Sequence, residues 1–112
     1  VPAHSLLMKD VANKFASIVE NIEFNMPKIP VIHNVDSSIE NDIAKIKVKL
    51  VRQIYSSVRW LDTIETMTNL KVTTIIECGP GKVLCNLIKR ISPSVATIDL
   101  DTYDNYLELS NE

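Results

Sequence analysis

The chain has 112 residues, of which 46% are hydrophobic, 23% charged and 5% aromatic, so it can build an ordinary globular core without needing disulfides or a metal. Twelve Lys and Arg against 14 Asp and Glu leave a formal net charge of −2, which lacks the basic excess of a nucleic-acid surface. No apolar run approaches the length of a membrane span, and Val1-Pro2-Ala3-His4 does not open like a signal peptide.

In chain order, Leu7, Val11, Phe15, Ile18 and Ile22 follow helical spacing and predict an amphipathic helix over roughly the first twenty residues. Pro27 and Pro30 punctuate an extended stretch, after which Val31-Ile32-His33-Asn34-Val35 reads as a strand stopped by Asp36-Ser37-Ser38. A second helix follows, capped by Asn41 or Asp42, with Ile43, Ile46, Leu50 and Ile54 as its buried stripe. Trp60, Leu61, Ile64, Met67 and Leu70 give a third. Val72-Thr73-Thr74-Ile75-Ile76-Glu77-Cys78 is the most strand-like segment, and Gly79-Pro80-Gly81 ends it. A helix with Val83, Leu84, Leu87, Ile88 and Ile91 on its apolar face then runs to Pro93, and Val95-Ala96-Thr97-Ile98 reads as a further strand. Strand, helix, strand is a βαβ unit with parallel strands. The acidic tail from Asp99 reads as a loop or a short terminal helix. The whole chain fits one α/β domain.

Four groups of residues are candidates for chemistry. His4 stands just before the first helix, where the positive end of a helix dipole favours a neutral imidazole able to accept a proton from a hydroxyl. It reads either as a general base or as a cap at a loop-to-helix junction. Gly79-Pro80-Gly81-Lys82 feeds a helix N-terminus, as phosphate-binding turns do, yet it has neither P-loop nor dinucleotide-loop spacing in a chain with two glycines, and it reads as a tight strand-to-helix turn. Lys45, Lys49 and Arg52 share one helical face, which is either solvated or a docking face for an acidic partner. Cys78 and Cys85 lie in no Cys-x-x-Cys pattern and read as small hydrophobes of a reducing, cytoplasmic compartment. Cys78 with His4 or His33 would be the pair of a cysteine hydrolase. Neither histidine has a second ligand at zinc spacing, so no metal is expected, and no cofactor is indicated. Of the nine serines, none sits in a Gly-x-Ser-x-Gly elbow.

Taken together, Val1-Pro2-Ala3-His4-Ser5-Leu6-Leu7-Met8, Pro30-Val31-Ile32-His33-Asn34-Val35-Asp36, Leu50-Val51-Arg52-Gln53-Ile54-Tyr55, Val58-Arg59-Trp60 and Glu77-Cys78-Gly79-Pro80-Gly81-Lys82-Val83-Leu84 resemble, in order and spacing, the C-terminal part of the bacterial malonyl-CoA:acyl carrier protein transacylases. The resemblance runs to about Ile98. It implies the second half of an α/β-hydrolase-like acyltransferase core, a mostly parallel sheet flanked by helices, with residues 1–112 falling after the family's ferredoxin-like insert and 99–112 forming a weakly patterned tail. It implies a malonyltransferase of fatty acid biosynthesis that works through a seryl ester. His4 matches the family's histidine base, and Gln53 the glutamine whose backbone carbonyl orients that histidine. Implied partners are malonyl-CoA, acyl carrier protein and the N-terminal part of the same enzyme, which carries the serine and the arginine that binds the malonyl carboxylate. The chain alone is then expected to be inactive. The alternatives are an acyltransferase domain of a polyketide or multienzyme synthase, and a non-catalytic module that docks a carrier protein.

Overall fold

The computed structural model describes residues 3–111. Val1 and Pro2, which open the motif around His4, and Glu112 lie outside the described residues. The chain divides into two compact units, one up to Thr63 and one from Ile64.

In the first unit a 3₁₀ turn, Leu6–Met8, leads into α1, Lys9–Glu20. α1 packs on α2, Ile43–Tyr55. The face it buries differs from the expected one. Ala12 and Val19 are covered, whereas Leu7 and Ile18 of the expected stripe keep 80% and 60% of their surface exposed, and Val11 and Ile22 are exposed as well. α1 carries apolar residues on more than one side, and periodicity alone does not say which side this chain covers.

Between the helices, β1, Ile32–His33, pairs with β2, Ser38–Ile39, in an antiparallel hairpin. The expected strand 31–35 is therefore shorter, and it turns back at once. Ser37 adopts φ +56° and its N–H reaches the His33 carbonyl at 2.7 Å. The Asp36 carboxylate accepts from the Ser38 amide at 3.2 Å and the Ser38 hydroxyl at 2.7 Å, an Asx turn that closes the loop. Asp42 caps α2 as expected, accepting from the amides of Ala44 at 2.8 Å and Lys45 at 3.3 Å.

α3, Trp60–Asn69, runs across the division between the units. It ends in a Schellman arrangement, with Lys71 at φ +66° and the Val72 amide reaching back to the Met67 carbonyl at 3.1 Å. The second unit is the expected βαβ. β3, Thr74–Glu77, pairs in parallel with β4, Ala96–Asp99, from Thr74 against Ala96 to Glu77 against Asp99. The connecting helix α4, Val83–Ile91, buries Cys85 and Ile88. The tail forms a short helix, α5, Tyr103–Ser110, capped by the Thr102 hydroxyl. The described strands thus make a small α/β arrangement with one antiparallel and one parallel pair.

Lys49 ties the hairpin to α2. Its ammonium pairs with Asp36 and Glu40, both at 3.0 Å, and donates to the Ser38 hydroxyl. Burial alone would push the Asp36 carboxyl up, but hydrogen bonds from Ser38 and Lys49 and the charge of Lys49 hold it below its ordinary value. The hydrogen bond from Lys49 likewise holds Glu40 down. Burial works to lower Lys49, and the two carboxylates outweigh it and raise the ammonium above its ordinary value. A carboxyl depressed in the folded state contributes stability above its unfolded pKa and loses it as pH falls through the folded value. The urea midpoint of the chain is therefore expected to fall as pH drops below about 4.5, the upper edge of the ordinary carboxyl range. In Lys49→Met the midpoint should be lower at pH 7 and the acid fall shallower; a wild-type slope in that variant would contradict the role given to Lys49.

Candidate functional site

His4 is exposed and held in the left-handed region, at φ +58°. Its partners are at the C-terminal end of α2. The helix stops at Tyr55 with Ser56 extended, so the carbonyls of its last turn have no helical donors. His4 supplies two donors. Its backbone N–H reaches the Ile54 carbonyl at 3.0 Å, and its ring Nδ1 lies 2.7 Å from the Gln53 carbonyl, 49 residues away in sequence. A carbonyl oxygen only accepts, so the ring proton sits on Nδ1 and the neutral imidazole carries its lone pair on Nε2. Among the described residues no hydrogen bond reaches Nε2. The Gln53 side-chain amide is 3.5 Å from Nδ1 and 3.4 Å from the Ser56 carbonyl. Because Nδ1 already gives its proton away, the amide's acceptor is Ser56. The arrangement can accept a proton at Nε2 with the ring orientation fixed from the far side.

The glycine turn in the second unit is occupied by the chain itself. Glu77, buried at the end of β3, accepts the Leu84 amide at 3.0 Å and the Cys85 amide at 3.1 Å, one carboxylate oxygen for each. That carboxylate takes the place an external anion would occupy at the start of α4. Gly79 at φ +145° and Gly81 at φ +83° supply backbone conformations that other residues rarely adopt. The Gly81 amide donates to Asp101 at 2.6 Å, so the acidic tail pins the turn. Neither the capping role of Glu77 nor Asp101 was read from the sequence; a carboxylate at a strand end just ahead of a glycine turn was the available signal for the first.

The remaining candidates fall in both units. Cys78 is exposed in the second unit, whereas His4 and the buried His33 belong to the first. Cys85 is buried, and burial followed by the Glu77 carboxylate pushes its thiol up, away from the reactive thiolate. Of the basic stripe, Lys45 and Arg52 are exposed, but Lys49 is not solvated: its side chain keeps 11% of its surface and is spent on Asp36 and Glu40. Arg52 borders a cleft of about 410 Å³ between α1 and α2, lined by Ala16, Val19, Val48, Val51 and Tyr55. Among the described residues no group of three His, Cys, Asp or Glu side chains could hold a metal, and no helix is long and apolar enough to cross a membrane.

No family model matches the chain. Individual relatives do. A malonyl CoA-acyl carrier protein transacylase of Haemophilus influenzae is 45% identical over 101 residues, 90% of this chain and 32% of that protein. Among solved structures, a malonyl-CoA:acyl carrier protein transacylase from Xanthomonas oryzae pv. oryzae superposes with a TM-score of 0.91 at 38% identity, covering 99% of this chain and 35% of that one. A malonyl-transacylase solved with its type II polyketide synthase acyl-carrier protein gives 0.90 at 42% identity, over 100% and 37%. The chain therefore spans about a third of the length of the relatives it matches, and the resemblance drawn from its motifs holds along most of its length.

Two measurements check the second unit. Glu77→Ala leaves the part-buried Leu84 amide and the buried Cys85 amide without their acceptor and is expected to destabilise by about 1–3 kcal/mol, with Glu77→Gln costing less. Iodoacetamide at mild alkaline pH should modify Cys78 well before Cys85, as read by mass spectrometry; equal rates would contradict the burial of Cys85.

Proposed function

We propose that this chain is the C-terminal part of a malonyl-CoA:acyl carrier protein transacylase, the second half of its α/β-hydrolase-like core, with residues 99–112 as the tail of that subdomain. The ferredoxin-like insert and the nucleophile belong to the remainder of the longer protein. A cytoplasmic, reducing setting goes with this reading, since both cysteines are free.

The observation that carries the reading is the pairing of His4 with the Gln53 carbonyl at 2.7 Å, two residues matched to separate motifs of the family. In this role His4 Nε2 takes the proton of the serine hydroxyl as that oxygen attacks the thioester carbonyl of malonyl-CoA. The carbon–sulfur bond breaks, and the proton passes from Nε2 to the sulfur of coenzyme A. In the second half, Nε2 takes the proton of the carrier's phosphopantetheine thiol, whose sulfur attacks the seryl ester. The carbon–oxygen bond breaks and the serine recovers its proton. Splitting the transfer at a covalent intermediate replaces one hard step with two easier ones. The Gln53 carbonyl keeps the ring in the tautomer that both halves need, the task an acid performs in a Ser-His-Asp triad.

The acceptor is an acyl carrier protein. Similarity to a malonyl-transacylase solved with a type II polyketide carrier keeps polyketide synthesis as the second reading beside fatty acid synthesis. The purely docking role is weakened by the loss of Lys49 from the basic face.

Lacking a seryl nucleophile, the chain by itself should remain unlabelled after incubation with radiolabelled malonyl-CoA and denaturation. In the full-length enzyme, His4→Ala should lower the acyl-transfer rate by about 10²- to 10⁴-fold, the usual contribution of a positioned base. Gln53→Ala should do much less, because it retains the carbonyl. Near-full activity in His4→Ala, or equal damage from a folded Gln53→Ala, would show that these roles are misassigned.

A further inference from the structure

His4 is held by more than one carbonyl. Its ring Nδ1–H goes to Gln53 and its backbone N–H to Ile54, so two neighbouring orphan carbonyls of α2 grip the two ends of one residue. The second bond fixes the backbone in the left-handed conformation at φ +58°, which a side chain other than glycine adopts only when its surroundings dictate it. These carbonyls are also the negative pole of a helix of 13 residues, equivalent to about half an elementary charge.

In a Ser-His-Asp triad the acid orients the imidazole and stabilises the imidazolium. Here no carboxylate hydrogen-bonds the ring among the described residues. The charged groups on the elements packed at this point are Lys9 and Asp10 on α1 and Lys49 and Arg52 on α2. Lys9 sits over the Tyr55 ring at 5.4 Å, Lys49 is taken by Asp36 and Glu40, and Asp10 and Arg52 are exposed.

We propose that the C-terminal pole of α2, acting through the Gln53 and Ile54 carbonyls together, performs both tasks of the missing acid, which makes Ile54 a further positioning residue for the reaction. The inference rests on the acyl-transfer reading given above. When Nε2 accepts a proton, the ring becomes cationic and its Nδ1–H bond to Gln53 becomes charge-assisted, and thus stronger. When Nε2 releases the proton, that gain disappears. A pole of partial charge holds the imidazolium less tightly than a full carboxylate would. This suits a cycle in which His4 takes up a proton and gives it away twice in each turnover.

The test weakens one carbonyl at a time in the full-length enzyme by replacing a peptide bond with an ester, whose carbonyl is a poorer acceptor. Ile54→its α-hydroxy acid weakens the Gln53 carbonyl, and Tyr55→its α-hydroxy acid weakens the Ile54 carbonyl. Val48→its α-hydroxy acid removes a helical N–H at mid-helix, away from the clamp, and serves as the control. Both clamp esters should lower kcat on the order of three- to tenfold, the effect of one weakened hydrogen bond. The KM for malonyl-CoA should stay unchanged, while the Val48 ester keeps wild-type kcat. A Tyr55 ester with unchanged kcat, or a Val48 ester as damaging as the other two, would overturn the two-carbonyl clamp. High activity in His4→Ala would instead overturn the underlying reaction.

Discussion

A single hydrogen bond between an imidazole and a backbone carbonyl organises the first unit's candidate site: His4 Nδ1 to Gln53, at 2.7 Å. The bond is possible because a helix that ends without a cap leaves acceptors behind, and α2 ends at Tyr55 with Ser56 already extended. It is also directional. A carbonyl fixes which nitrogen carries the proton, and so which one is left to do chemistry. The acceptor belongs to the main chain, so the ring depends on where α2 stops more than on the side chain at position 53. That position is supported in turn. Asp42 fixes where α2 begins, and Lys49, one turn before Gln53, ties the helix to the hairpin through Asp36 and Glu40.

The same economy recurs at the start of α4. Glu77 closes the helix N-terminus from the preceding strand, and the glycine turn between them is stapled to Asp101. One helix end meets an imidazole with its free carbonyls, and another meets a carboxylate with its free amides. Both arrangements follow from the same unsatisfied backbone groups and the same macrodipole, with opposite signs.

Much of this was legible in the sequence where the signals are local. Asn41-Asp42 before an apolar repeat marked the α2 cap, which Asp42 supplies, β-branched residues before Gly79-Pro80-Gly81 marked β3, and Pro93 marked the end of α4. His4 stood out by its place before a helix, but Gln53 and its pairing with His4 came through motif resemblance, because no local pattern links residues 49 positions apart. The illegible features depend on partners far along the chain. Lys49 looks like any lysine on a solvated face until the hairpin folds Asp36 and Glu40 onto it. The apolar stripe of α1 looks like a core face, yet Leu7 and Ile18 are exposed while Ala12 and Val19 are covered, since α2 packs on a different side of the helix. The hairpin was missed because a strand of two residues carries almost no periodic signal, and its cause is the positive φ of Ser37.

The role proposed for His4 requires its ring proton to be in the right place before any substrate arrives. The most direct measurement is a long-range proton–nitrogen correlation spectrum of the His4 ring in the full-length enzyme, taken at a pH where the imidazole is neutral. The account predicts the Nδ1–H tautomer, with Nε2 showing the shift of an unprotonated nitrogen. An Nε2–H tautomer, or rapid exchange between the two forms, would mean that the end of α2 does not hold the ring, and would contradict the account at its centre.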